Sequence, residues 1–184
     1  MLRPISKLIV MSMLLGLFGC SSHPPMKTVD YVDLPRYMGD WYVIANIPTF
    51  IEQDAYNAVE RYDLSGDGSI ATTFTFNKGS FDGPEKIYRP TGYIVDRKSN
   101  ALWGMQFLWP VKGDFRIVYL DDDYQNTIIG RQARDYVWVM SRQPQISDEQ
   151  YEKLRRVVIS LGYDESKLQK VPQKWDRTLE DEAG

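Results

Sequence analysis

The chain has 184 residues, of which 43% are hydrophobic and 26% charged, the composition of one globular domain with a substantial core. Its formal net charge of −3 leaves no basic face for phosphates and excludes nucleic acid as a partner. Aromatic side chains make up 13%, with 12 Tyr, 7 Phe and 5 Trp, which suits either an aromatic β-core or a lined cavity with an adhesive rim.

At the N-terminus Arg3 and Lys7 precede the apolar run from Leu8 to Phe18, too short to cross a bilayer comfortably but right for a secretory signal. It ends in Leu17-Phe18-Gly19-Cys20, which resembles the lipobox of bacterial lipoproteins, with Phe18 bulkier than the residue usual there. The resemblance implies cleavage after residue 19 and a diacylglycerol on Cys20. No other cysteine competes for that thiol. Ser21 follows where an aspartate would retain such a lipoprotein at the inner membrane, which implies the outer membrane, on its periplasmic face. Residues 20–29 are then a lipidated tether, 30–176 the folded domain and 177–184 an acidic tail.

From Asp40 onward, short segments rich in aromatic and β-branched residues alternate with turn signals at intervals of about 10 residues, the pattern of a sandwich or barrel. Eight strands are predicted: Asp40 to Pro48, Ala55 to Ser65, Ser69 to Asn77, Lys86 to Asp96, Ala101 to Trp109, Asp114 to Asp121, Thr127 to Gln132 and Tyr136 to Arg142. Turn residues such as Gly66-Asp67-Gly68 and Ser99-Asn100 join them as hairpins. After Pro144 the period changes. Ser147 and Gln150 form a capping box, Tyr151, Leu154, Val157, Val158 and Leu161 recur at helical spacing, and Gly162 stops the run. The expected fold is therefore all-β, an eight-stranded antiparallel up-and-down barrel with one C-terminal amphipathic helix packed outside, since closure removes the sheet edges. An open sandwich is the alternative.

Gly39-Asp40-Trp41-Tyr42, behind the Leu34-Pro35-Arg36-Tyr37 turn, resembles the G-x-W signature that opens lipocalins. Asp122-Asp123-Tyr124 meets part of the second signature, and Arg142 at the end of strand eight matches the third. Tyr136-Val137-Trp138-Val139-Met140-Ser141-Arg142, with Pro144 and Ile146-Ser147 after it, is similar to the bacterial outer-membrane branch, which also holds apolipoprotein D and plant stress lipocalins. In an up-and-down barrel Gly39, Trp41, Asp123, Tyr124 and Arg142 converge on one end. There the Arg guanidinium laid across the Trp closes the floor, a structural role.

Period-two alternation assigns an inner face. It carries Ala45 and Ile47 with Trp41, then Phe74 and Phe76, Trp103, Met105 and Phe107, Phe115, Ile117 and Tyr119, and Trp138 and Met140, as the ligand-contacting wall. The strand-two face that bears Ala58 and Tyr62 also bears Glu60, whose orientation the pattern leaves open; if it faces inward it needs a donor such as Arg116 or Arg131 or forms part of a head-group site. Apolar residues flank the open-end loops, among them Phe50, Ile51, Leu108, Trp109 and Val111. His23, the only histidine, lies in the tether, so no haem ligand or histidine triad fits the barrel. No catalytic residue, metal or cofactor is expected, and Asp121-Asp122-Asp123 lacks a calcium-loop pattern.

The expectation is a membrane-anchored barrel that binds, stores or transfers a fatty acid or lysophospholipid, in envelope maintenance under stress. A structural or interaction lipoprotein with a filled barrel is the alternative, and a lipocalin-fold enzyme using Glu60 or Tyr119 the third. A homodimer is left open.

Overall fold

The computed structural model describes residues 23–175, so the lipobox-like segment, Cys20 and the acidic tail lie outside the described residues. A short helix α1 (Leu34–Tyr37) leads into nine strands: β1 (Gly39–Ile47), β2 (Ala55–Leu64), β3 (Ile70–Lys78), β4 (Glu85–Tyr88), β5 (Thr91–Ile94), β6 (Leu102–Leu108), β7 (Val111–Leu120), β8 (Asn126–Gly130) and β9 (Val137–Ser141). The helix α2 (Asp148–Ser160) and a two-residue strand β10 (Gln169–Lys170) follow.

The strands pair antiparallel in the order β10-β1-β2-β3-β5-β6-β7-β8-β9, and β1 also pairs with β9, which closes an eight-stranded barrel. β4 and β10 are extra to it. The fourth predicted strand is broken because Pro90 has no N–H to give the ladder; its carbonyl instead accepts from the Thr72 amide at 3.1 Å. β4 therefore pairs with the upper half of β3 and β5 with its lower half. β7 starts earlier than expected, at Val111, so the β6–β7 hairpin is longer and tighter than the sequence pattern suggests.

β1 pairs with β2 only from Gly39 to Tyr42. Above that point the C-terminal segment fills the seam. β10 pairs with Ala45 and Asn46, the Val171 amide donates to the Ile44 carbonyl at 2.9 Å, and the Gln173 side chain donates to the Val43 and Ala58 carbonyls at 2.8 and 3.0 Å.

Two apolar cores result. One lies inside the barrel around Trp41, Tyr62, Phe74, Trp103 and Ile117. The other lies between the outer wall and α2, where Leu154 and Val158 pack on Ile128, Val137 and Val139. Ser147 caps α2 by accepting from the Gln150 amide at 3.1 Å, satisfying one of the donors a helix start leaves free.

The segment expected as a tether is docked from His23 onward. The Gln132 side chain accepts from the Met26 amide at 2.8 Å, Arg134 donates to the Pro24 carbonyl at 2.7 Å, and the Val29 amide donates to the Ile117 carbonyl at 2.9 Å. Met26 lies over Gly130, where a Cβ would come within 2.9 Å of its sulfur. Glycine at 130 is thus what allows the strap to seat.

Candidate functional site

The closed end is built on α1. Asp33 caps it, the chain turns at Gly39 with φ +92°, and Trp41 enters the barrel fully buried, its indole N–H donating to the Tyr37 carbonyl at 2.9 Å. The Arg142 guanidinium lies 3.8 Å from the Trp41 ring centre. It also donates to four carbonyls, those of Asp40 at 2.7 Å, Arg36 at 3.0 Å, Tyr37 at 2.9 Å and Met38 at 2.8 Å. Arg142 is therefore the C-terminal cap of α1 as well as the cover of Trp41, because the last carbonyls of a helix need donors.

Tyr124, at φ +60°, accepts from the Asp33 amide at 2.9 Å and carries Arg36 over its ring at 4.0 Å. Asp123 is exposed, and closure does not use its carboxylate. The role expected of it falls to Asp121, which accepts from the Gln125 and Asn126 amides at 2.7 and 2.9 Å and from the Asn126 side chain at 2.7 Å. A turn with three consecutive aspartates does not tell, before folding, which of them faces back into it.

Above the floor the rings of Tyr37, Trp41, Tyr62, Trp103 and Phe115 stand 5.1 to 6.2 Å apart in edge and stacked contacts, so the lower barrel is solid. Phe74, Phe76, Met105, Ile117 and Met140 join this inner cluster, with Tyr88, Leu120 and Trp138 only partly buried against it.

Four wall assignments are corrected. In β1 the register shifts between Val43 and Ala45, so Ile44 is an extra residue, and Ala45 and Ile47 turn to the outer cluster beside α2. In β7 the same happens at Val118, which puts Tyr119 outside with Ile128. Phe107 is 52% exposed, at the end of the β6–β7 hairpin that rises beyond the wall. A one-residue slip reverses every face beyond it, and no residue at 44 or 118 announces one.

The first of these bulges turns Asn46 inward instead. Asn46 donates to Glu52 at 3.4 Å, while Glu52 also accepts from the Trp138 indole at 2.8 Å and the Thr49 amide at 2.9 Å. Glu52 was not singled out in the sequence, where it is one carboxylate in a loop.

Glu60 does point inward, level with Trp41 and Phe74. Neither expected cation reaches it: Arg116 pairs with Asp114 at 2.9 Å and Arg131 with Asp135 at 3.4 Å. Its partner is the Tyr62 hydroxyl, which donates to it. Burial, with the nearby Glu52 charge, pushes the Glu60 carboxyl up to about 7, although the Tyr62 hydrogen bond acts against this. Glu60 is nevertheless intermediate in exposure as a residue, not fully buried.

At the other end the mouth is apolar. Phe50 is 81% exposed, Leu108 78%, Trp109 87% and Val111 70%. Ile51, expected beside them, is only partly exposed. The docked strap reaches the β8–β9 loop, residues 131–136, which lies at this same end. A separate groove of about 310 Å³, between Ile44, Ile146, Tyr151 and Val171, lies outside the wall.

The family model described as a lipocalin-like domain matches residues 32–173. Among curated proteins the chain is 34% identical over 157 residues to temperature-induced lipocalin-1 of Arabidopsis thaliana, covering 80% of this chain and 83% of that one. It is 30% identical over 156 residues to outer membrane lipoprotein Blc of Escherichia coli K12, covering 82% and 86%. Bovine apolipoprotein D is 25% identical over 187 residues, covering 88% and 92%. Among solved structures, insecticyanin of the tobacco hornworm superposes with a TM-score of 0.64 at 17% identity, covering 80% and 84%, a likeness of fold.

Proposed function

The chain belongs to the lipocalin family, and from that premise we propose that it is a lipid-anchored outer-membrane protein that binds, stores or transfers a fatty acid or lysophospholipid. The observation that carries this reading is a barrel sealed by Trp41 and Arg142 at one end, with an apolar inner wall and an exposed apolar mouth at the other. Relatives named outer membrane lipoproteins support the anchor and the location. The wall supplies mainly apolar binding surface, so the reading is of a carrier and not of an enzyme. A role in envelope maintenance under stress belongs to the same proposal.

The strap gives the anchor a direction. Cys20 precedes His23 by three residues, a reach of about 10 Å, and His23 is held at the mouth end. A lipid on Cys20 then draws the mouth, with Phe50 and Trp109, to the bilayer it exchanges with.

The test is a titration of the Cys20→Ser chain, freed of lipid, with fatty acids from octanoate to stearate, read by tryptophan fluorescence. Each buried methylene contributes ~0.8 kcal/mol, so affinity should rise with length and level off where the space is full. The solid lower barrel is what favours the filled-barrel interaction protein as a second reading. No binding, or binding without length dependence, puts that reading in place of the carrier.

A further inference from the structure

Among the described residues, two side chains that face inward keep acceptor capacity that the protein does not fill. One Glu60 oxygen accepts from Tyr62, and no other hydrogen bond reaches that carboxylate. Higher up, the Asn46 side-chain carbonyl finds no donor although Asn46 is 1% exposed, because its amide nitrogen is turned to Glu52. A buried acceptor left unpaired is costly, so such a set is suited to a ligand that brings donors. Aromatic residues share its face by register: Phe74 pairs with Glu60 and Tyr88 with Phe74, with Tyr62 and Phe76 one inward position to either side, and the rings of Phe74, Phe76 and Tyr88 stand 5.2 to 6.4 Å apart. Such rings favour a cation, and a fatty-acid carboxylate would meet both the ring faces and Glu60 unfavourably.

Resting on the carrier reading above, we propose that the deep end of the space is a head-group site for a hydrogen-bond-donating cation. A primary ammonium on a single-chain amphiphile would donate to Glu60 between the aromatic rings, and free carboxylates are disfavoured there. The titratable groups that act on this position are Tyr62 on β2, Tyr37 on α1 and Glu52 in the β1–β2 loop, while Arg142, after β9, acts on the two tyrosines. Lys86 shares the inner face with Phe76 by register but is exposed at the mouth. Since burial favours the neutral acid, ammonium binding should weaken as Glu60 takes up its proton and palmitate-type binding should strengthen.

Three probes of equal length separate the cases on the full chain carrying Cys20→Ser: dodecylamine, laurate and dodecanol, at about pH 8 and about pH 5.5. At the higher pH dodecylamine should bind about tenfold more tightly than laurate, the factor one charge-assisted hydrogen bond supplies. Glu60→Gln should abolish that ratio, and a near-UV circular dichroism spectrum like the parent's shows the variant folded. The ratio should also fall at the lower pH. If laurate matches dodecylamine at about pH 8, or the Glu60→Gln ratio equals that of the parent, the head-group site is overturned while the carrier stands. If none of the three binds, the carrier reading fails and the head-group site fails with it.

Discussion

Arg142 joins two tasks that are separable in principle, and its value to the fold comes from the join. It covers the Trp41 ring and satisfies the end of α1 through its carbonyl contacts. Trp41→Ala should cost ~3–5 kcal/mol, as for other large buried aromatics. Arg142→Ala should destabilise as well, and the double mutant should lose less than the sum, since each single change already removes the shared contact. Additive losses in urea titrations would show the two side chains to be independent. Glu60 makes a different prediction, in pH. Its carboxyl is held up at about 7 against an ordinary 4.5, so the folded state binds the proton more tightly than the unfolded chain does. That contribution is complete below about 4.5 and lost as pH rises through about 7, a window worth roughly 3 kcal/mol. Glu60→Gln should flatten the fall in stability across this window. A parent chain whose urea midpoint is constant there would contradict the placement of the carboxyl.

At the scale of the element, bulges decide what the wall presents. β1 and β7 each gain one residue against their partners, at Ile44 and Val118, and each turns over the residues that follow, toward the mouth in β1 and toward the floor in β7. The consequence is testable by charge. Ile117→Lys places a cation on the inner face and should abolish or sharply weaken lipid binding. Tyr119→Lys, only two residues on, faces the outer cluster and should lower stability while leaving the affinity of the folded fraction intact. Equal losses of affinity would mean that β7 runs without its bulge. The alternation of the first half of β1, through Trp41 and Val43, was legible in the sequence, as were β3 and the lower part of β6. The flips at Ala45, Ile47 and Tyr119 were not, because a bulge is a matter of register between two strands and leaves no mark on the one that carries it. The break at Pro90 is the reverse case, a residue that cannot donate to a ladder wherever it falls.

For the whole molecule, the start of the docked strap and the apolar mouth lie at one end. Cys20→Ser should move the protein from the membrane to the soluble periplasmic fraction, whereas Trp109→Ser should leave it anchored and slow lipid exchange with vesicles. A Cys20→Ser chain that still fractionates with membranes would remove the anchor from the account. A Trp109→Ser chain that exchanges at the parental rate would remove the mouth's contact with the bilayer.

The sequence by itself pointed to an eight-stranded barrel ahead of an open sandwich, to the amphipathic helix and to Trp41 and Arg142 at the sealed floor. Each is carried by local chemistry: period-two and helical alternation, turn residues, and the Trp41 and Arg142 signatures at their spacing. Only the tertiary structure decided that Asp121 and not Asp123 secures its turn, and that Phe107 stands at the rim. It also decided that the strap is docked and that Glu60 has a tyrosine for a partner instead of an arginine. These depend on which strand edge or loop a side chain meets across the barrel, at separations such as the 106 residues between Met26 and Gln132. Such meetings are fixed by closure of the sheet, and a pattern read along the chain contains no information on them.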